Sequence, residues 1–386
     1  MAFATRSEVM FIVERLLTQM LWPSFFGINP FENKQLKDPE VRDSHIDAKT
    51  SGLFPRISYK QAMRFYGSDK PDLRLGSKIQ RVERYLPPNL KQMLSPLSGA
   101  VFEMIRIDMK GVAPAVSGEF ITKFLDAPAA APYLQNPAGA PGVTVLDPQK
   151  PLQGLASFGH EAADKVMSIL EPNVGDILIV QARADVPHTG GSTPLGNLRR
   201  DIYQSAFAEE VLTPPTDDSF LWVVDFPLFS PINDTDPGQG GQAGFCSTHH
   251  PFTAPVNEKH TDLLTKDPLK CDGDHYDLVI NGVEVGGGSR RIHDSKLQEF
   301  ILRDVLKMRP ERVEDFRHLL NALKAGCPPH AGFALGFDRL MAILTRQSSM
   351  RDVIAFPKWG DGEDKMVGAP SRITEDQLKT YHLGIR

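Results

Sequence analysis

From Tyr276 to His293 the chain reads Tyr-Asp-Leu-Val-Ile-Asn-Gly-Val-Glu-Val-Gly-Gly-Gly-Ser-Arg-Arg-Ile-His, an apolar strand that passes into three consecutive glycines and two arginines. A segment this rich in Val and Ile with so little side chain at one end belongs in a sheet, with something close against its bare backbone. Spaced carboxylates can hold Mg²⁺, a glycine run lets a flat ligand lie on the main chain, and arginine can clamp a carboxylate or phosphate with two hydrogen bonds. The constellation suits a nucleotide with an anionic substrate. An edge strand with a glycine hairpin and solvent-facing charges would account for the same residues. Asp277, Glu284 and Arg291 stand seven apart, so strict alternation puts neighbours in that series on opposite faces. If all three meet, a bulge or break intervenes, and Gly282 and the glycine triplet are where it is expected.

The rest of the composition limits the setting of this strand. A chain of 386 residues with 41% hydrophobic content can build two or three cored domains, and a net charge of −5 offers no global positive field for nucleic acid. Three cysteines, Cys246, Cys271 and Cys327, match neither a disulfide framework nor a paired-thiolate metal pattern, which points to a reducing compartment. The apolar run Val9 to Val13 is far short of the roughly 20 residues that cross a bilayer, so neither a membrane span nor a signal peptide is expected.

Along the chain, Val9, Val13, Leu16, Leu17 and Met20 recur at helical steps, predicting an amphipathic helix from Ser7, as N-cap, to Leu21, with Pro23 just beyond. A short helical stretch follows Phe54-Pro55-Arg56-Ile57-Ser58-Tyr59, and Tyr66 to Arg74 is turn chemistry. Ala/Pro/Gly-dense stretches at 127–154 and 183–196 frame a helix near Glu161 to Leu170 and a strand at Asp176 to Ala182. The pattern predicts a small inserted α+β domain at 92–208, between a first part at 1–91 and a C-terminal part at 209–386. Strand-like runs are expected at Phe220 to Phe226 and Leu278 to Val285. Two helices come next, the first with Ser295 and Gln298 in capping-box spacing, the second burying Val313, Phe316, Leu320 and Leu323 up to Gly326. A strand-to-helix passage near 332 closes the series. Strands and helices do not alternate regularly, so an antiparallel or mixed α+β sheet is the expected fold.

Two further clusters could do chemistry. His330 to Leu340 is a glycine-spaced apolar strand ending at Asp338-Arg339, where a helix N-terminus would also favour a phosphate, although an ordinary packed strand with a surface charge pair fits equally well. Thr248-His249-His250-Pro251 offers adjacent imidazoles that invite a zinc reading. Sequence neighbours point apart and no third ligand stands at a usual spacing, so a histidine reaching an anionic substrate is the better fit, with a structural loop as the alternative.

In order, Phe54-Pro55-Arg56, Tyr66 to Asp72, Trp222 to Pro227, His249 to Thr253, Ile280 to Ser289 and Gly336 to Arg339 resemble the aspartyl-tRNA synthetases of bacterial and mitochondrial type. The resemblance implies a class II synthetase sheet, antiparallel and flanked by helices, and a ligase that joins L-aspartate to tRNA(Asp) through an aspartyl-adenylate, using ATP and Mg²⁺. Carried over by position, Asp277 and Glu284 match the metal and ATP carboxylates, Arg291 the clamp on the aspartate side chain, and His249 a histidine of the aspartate site. Gly336, Phe337, Asp338 and Arg339 match the third signature motif, whose arginine binds ATP, so that Arg291 and Arg339 are the residues expected to carry catalysis.

Met1 to Thr5 resembles a stretch just after the family's second motif. The anticodon-binding barrel, the first motif with its dimer interface and the second motif would precede it, which implies half an active site, little aminoacylation by this chain alone and a doubtful homodimer. A catalytically inactive fragment that binds nucleotide, tRNA or a partner protein is the alternative. The Ala/Pro-rich expansion favours the mitochondrial matrix over the cytoplasm.

Overall fold

Strands β3 (Val101–Ile107) and β5 (Ile177–Arg183), numbered in chain order, show how the sequence builds one of the two main sheets. Ile105, Ile107, Ile177 and Ile179 point to one face and pack with Phe120, Phe124, Leu198 and Ile202, which come from the helices Pro114–Asp126 and Pro194–Ala208. Phe102, Met104, Leu178 and Val180 point to the other, against Ala162, Val166 and Leu170 of the helix His160–Leu170. Burial on both sides is why these strands carry almost no polar alternation.

The computed structural model describes residues 1–26, 54–150, 158–232, 241–360 and 362–384. In chain order the strands are β1 (Arg56–Ser58), β2 (Gln80–Arg81), β3 (Val101–Ile107), β4 (Gly142–Val145), β5 (Ile177–Arg183), β6 (Phe220–Pro227), β7 (Phe229–Pro231), β8 (Phe245–Ser247), β9 (Asp272–Ile280), β10 (Val283–Arg291) and β11 (His330–Leu335). A five-stranded sheet has the order β1-β6-β9-β10-β11, a four-stranded sheet the order β2-β3-β5-β4, and β7 and β8 form a small pair. β1 runs parallel to β6, whereas β6–β9 and β9–β10 are antiparallel. The expected mixed α+β sheet is therefore present. Contacts divide the chain into two compact units, Met1–Ala334 and Leu335–Arg386.

The five-stranded sheet is anchored by the helix Tyr59–Tyr66, whose Tyr59, Ala62, Met63 and Tyr66 bury against Leu221, Val223 and Phe226 of β6. Ser58 and Gln61 close a capping box at its start, and Gly67, at φ +65, ends it in the left-handed conformation that glycine adopts without strain.

Several sequence expectations shift by a residue or a turn. The first helix, Arg6–Arg15, is capped by Thr5 in a box with Glu8, not by Ser7. It does not stop before Pro23: a wide-turn segment Leu16–Leu21 re-registers the ladder and leads into Trp22–Phe26, so the missing proline N–H falls where a new helical start has no partner for it. Asp294, not Ser295, caps Ser295–Phe300, because its carboxylate accepts from the N–H groups of Lys296 and Leu297. The helix expected around Val313 to Leu323 is broken into Pro310–Glu314 and Arg317–Ala325. The run Leu278 to Val285 is not one strand. Asn281 and Gly282, at φ +55 and +79, turn the chain between β9 and β10, and an Asn-Gly pair with two positive φ values is the preferred two-residue hairpin turn.

Candidate active site

That hairpin resolves the alternation problem. Gly287 pairs with Asp277 and Ser289 with His275, so the face that carries His275 and Asp277 on β9 carries Gly287, Ser289 and Arg291 on β10. The register then slips between Glu284 and Gly286, leaving Val285 as the extra residue, and Glu284 comes opposite Val279 on that same face. Asp277, Glu284 and Arg291 are thus brought to one surface by the turn and the bulge together.

The glycine triplet is only partly a ligand platform, which corrects the sequence reading. A Cβ on Gly286 would lie 2.5 Å from the carbonyl of Ala334, and one on Gly288 would lie 2.1 Å from that of Gly332, so these two glycines admit β11. Gly287 faces the site, where its Cβ would lie 2.5 Å from Oδ1 of Asp277. One glycine of three keeps the carboxylate uncovered.

Asp277 is 3% exposed and His275 8%, and Nε2 of His275 lies 2.9 Å from Oδ1 of Asp277. The ring of His249 stacks on that of His275 at 3.7 Å and 14°. His250 turns the other way, its Nδ1 lying 3.0 Å from Nη1 of Arg291. The two adjacent histidines do point apart, yet each reaches a different member of the cluster. Desolvation by the surrounding protein holds His249, His250 and His275 down to about 4, with His275 adding at His249 and the Arg291 guanidinium adding at the other two, although part of the His249 side chain still reaches solvent. All three imidazoles are neutral at pH 7. Burial also lowers Arg291 from its ordinary range, an indication of how little water reaches the guanidinium.

Two further charges come from the loop after the helix Tyr59–Tyr66. Nζ of Lys70 lies 3.1 Å from Glu284 and 3.8 Å from Asp69. Burial pushes Asp69 up to about 6; Lys70 opposes the rise, while Asp277 and Glu284 add to it. Burial works against the Lys70 ammonium, but Asp69 and Glu284 outweigh it and raise its pKa. Three carboxylates therefore crowd around one ammonium. The loop is held from behind: Thr193 N donates to Gly67 O at 2.8 Å, Asp69 N donates to Gly191 O at 2.9 Å, and a Cβ on Gly196 would lie 2.0 Å from Gly67 O.

Asp69, Lys70 and His275 were not singled out by sequence. The first two lie inside a segment read only as a turn. His275 stands two residues before Asp277, the spacing that shares a strand face, and that signal could have found it. Gly336, Phe337, Asp338 and Arg339 belong to the second unit, where Gly336 caps the helix Phe337–Leu344 and the next three side chains are exposed on its first turn.

The family described as tRNA synthetases class II (D, K and N) matches this chain over residues 1–360. The chain belongs to that family. Among the class II relatives, the mitochondrial aspartate–tRNA ligase of Schizosaccharomyces pombe is 36% identical over 340 residues, covering 86% of this chain and 51% of its own length. The mitochondrial aspartate–tRNA ligase of Saccharomyces cerevisiae is 37% identical over 406 residues, covering 99% of this chain and 58% of its own. An aspartate–tRNA(Asp/Asn) ligase of Opitutus terrae is 36% identical over 348 residues, 88% of this chain and 54% of the relative. The chain spans about half the length of the curated class II relatives it matches. No helix among the described residues is long and apolar enough to cross a membrane.

Proposed function

We propose that this chain carries the aspartate- and ATP-binding half of an aspartate–tRNA ligase. The observation that supports it most is the convergence of Asp277, Glu284 and Arg291 on one face of the β9–β10 hairpin, achieved by a bulge. In this reading the half-buried Arg291 guanidinium, whose planar fork can donate two parallel hydrogen bonds, holds the side-chain carboxylate of L-aspartate, and His249 contacts the same substrate as a neutral donor or acceptor. By the family resemblance Glu284 is assigned to ATP, and in the second unit Gly336, Phe337, Asp338 and Arg339 are assigned to ATP as well, the arginine for its charge toward phosphate. Aspartate's α-carboxylate oxygen attacks the α-phosphate and pyrophosphate leaves; a 3′-terminal ribose hydroxyl of tRNA(Asp) then attacks the aspartyl carbonyl, the bond to the adenylate breaks, and AMP and a proton are released. No side-chain nucleophile is needed, because alignment and charge compensation carry such transfers.

The donor set fits Mg²⁺: Asp277 and Glu284 supply hard oxygens in a surplus of negative charge that raises Asp69. When bound, the ion would shield phosphate oxygens. Residues 92–208, which contain β3, β4 and β5 with apolar clusters on both faces, are the inserted small domain in this reading. The compartment is the mitochondrial matrix, as the names of several relatives suggest; the homodimer that the family resemblance implies is not part of the proposal for this chain.

Aspartate-dependent exchange of pyrophosphate into ATP tests the proposal. Activity in this chain that is lost in Arg291→Ala and Arg339→Ala is the expected sign of an adenylating site. If a well-folded chain binds ATP without exchange, the inactive nucleotide-binding fragment becomes the better reading; if it shows neither exchange nor ATP binding by calorimetry, catalysis by this half alone is ruled out and an inactive fragment that binds tRNA or a partner protein is favoured.

A further inference from the structure

We infer that His249, His275 and Asp277 form a binding site for a borderline divalent transition-metal ion, Zn²⁺ foremost. The potential ligand atoms of these three side chains all lie within 4.8 Å of one another. Two imidazoles and a carboxylate are a frequent zinc donor set, whereas Mg²⁺ takes oxygens. Nitrogen donors shift preference toward the later first-row metals in the order that peaks at copper and includes zinc. The set is assembled from two elements distant in sequence, which is why the adjacent pair His249-His250 offered no third ligand.

The surroundings favour a cation. Asp277 and His275 are buried at the base, His249 is exposed at the mouth, and the missing side chain of Gly287 leaves space directly over Oδ1 of Asp277. Asp69 and Glu284 bring further negative charge close enough to act on one another.

One adjustment is required. An ion at about 2.0–2.1 Å from each imidazole holds the two nitrogens roughly 3.3 Å apart with their lone pairs converging. Rings stacked in parallel at 3.7 Å do not converge. Metal binding therefore requires His249, on the 248–255 loop, to turn out of its stack on His275 and its edge contact with Phe226, and the proton on the ligating Nε2 of His275 leaves as the metal arrives.

The site shares Asp277 with the proposed nucleotide pocket, so Zn²⁺ bound here withdraws that carboxylate from Mg²⁺ and competes with Mg²⁺-nucleotide. Metal binding itself rests on the three ligands alone and needs neither ATP nor aspartate.

Co²⁺, which reports four-coordination through its visible d–d bands, titrated into the whole chain is the test, with Zn²⁺ and then a chelator as competitors. The expected result is one saturable site whose bands Zn²⁺ removes and a large excess of Mg²⁺ does not. His249→Ala, a change at an exposed loop position, should weaken it roughly 10- to 100-fold, the scale of losses seen around metal ligands. His275→Ala should do the same where thermal melting shows it folded, and Cys327→Ser should leave affinity unchanged. No saturable spectrum, unaltered affinity in His249→Ala, or loss in Cys327→Ser each overturns the assignment. Pyrophosphate exchange and ATP calorimetry on the metal-free chain decide the proposed function separately, so either idea can fail without the other.

Discussion

Glu14 and Asp277 are both carboxylates shut away from water in the first unit, and their surroundings are opposite. Glu14, fully buried, accepts a hydrogen bond from Nε1 of Trp222 at 2.9 Å and lies 3.8 Å from Nη2 of buried Arg56. Asp277 is held by a neutral imidazole and shares its space with Asp69 and Glu284, against the single ammonium of Lys70. Around Glu14 an opposite charge stands beside the carboxylate, whereas around Asp277 like charges gather, a concentration of negative potential that suits the binding of a cation. The Phe54-Pro55-Arg56 landmark belongs to the first group: its arginine stabilises the sheet, and its part in this chain is structural.

The contrast is broken most directly by Glu14→Ala. That change strands the Arg56 guanidinium in the interior and removes the acceptor of the Trp222 N–H, and removing one member of a buried pair costs about 3–5 kcal/mol. A urea melt should show that loss as a lowered midpoint. If the midpoint moves by less than about 1 kcal/mol equivalent, the pair is not the fastener described here.

Acidification probes the other region. Groups whose folded pKa is depressed resist protonation in the native state, so His249, His250 and His275, held near 4 against an ordinary 6.5, withdraw stability as pH falls from 6.5 toward 4. Asp69, raised to about 6 from 3.8, works the other way: the native state binds its proton first, and stability is gained as pH falls through 6. Three groups oppose one. The net expectation is a loss of about 2–4 kcal/mol between pH 7 and pH 4, well under the sum of three independent histidines because solvent screens exposed His249. Urea midpoints across that range should fall more steeply for Asp69→Asn and less steeply for His275→Gln; equal slopes in all three proteins would contradict the cluster.

Much of this was legible in the sequence, and what was not has a physical cause. The helices Tyr59–Tyr66 and His160–Leu170 were expected, as a short helical stretch and as a helix near Glu161 to Leu170, because helical signals act over three or four residues. Asp277, Glu284 and Arg291 were picked out by residue type, and the need for a bulge followed from their spacing alone. Its place was expected at Gly282 and the glycine triplet, and the turn at Asn281-Gly282 and the slip between Glu284 and Gly286 fall there; what the strand expected from Leu278 to Val285 missed is that Asn281-Gly282 reverses the chain as a hairpin turn. Asp69 and Lys70 could not be assigned from local pattern: they meet Glu284 and Asp277 through the sheet, across some 200 residues of chain. Cross-chain electrostatics leaves no periodic mark.

A smaller effect of opposite sign is expected from Asp69→Asn. Removing one of three crowded carboxylates relieves repulsion and drops an ionised group from a half-buried position, which should stabilise the chain by about 1–2 kcal/mol at pH 7. Any ATP binding measured for the parent should weaken in the same protein. A variant both less stable and unchanged in binding would place Asp69 with Glu14, as a structural acid.

Lys70→Ala should have the least effect on stability and the most informative effect on protonation. Nζ of Lys70 bridges Glu284 and Asp69 in a partly exposed setting, where an ion pair is worth under about 1 kcal/mol. The ammonium is nevertheless the only cation among the groups that shift Asp69, and it is the one that holds its carboxyl down. Without it the proton on Asp69 persists to higher pH. The carboxyl resonances of the aspartates, followed by NMR, should show the Asp69 titration moving upward while the melting point hardly changes. A large fall in melting point with no movement of that titration would mean that Lys70 fastens the loop instead of balancing the site, and the difference drawn between the two carboxylate regions would then lie in packing, not in charge.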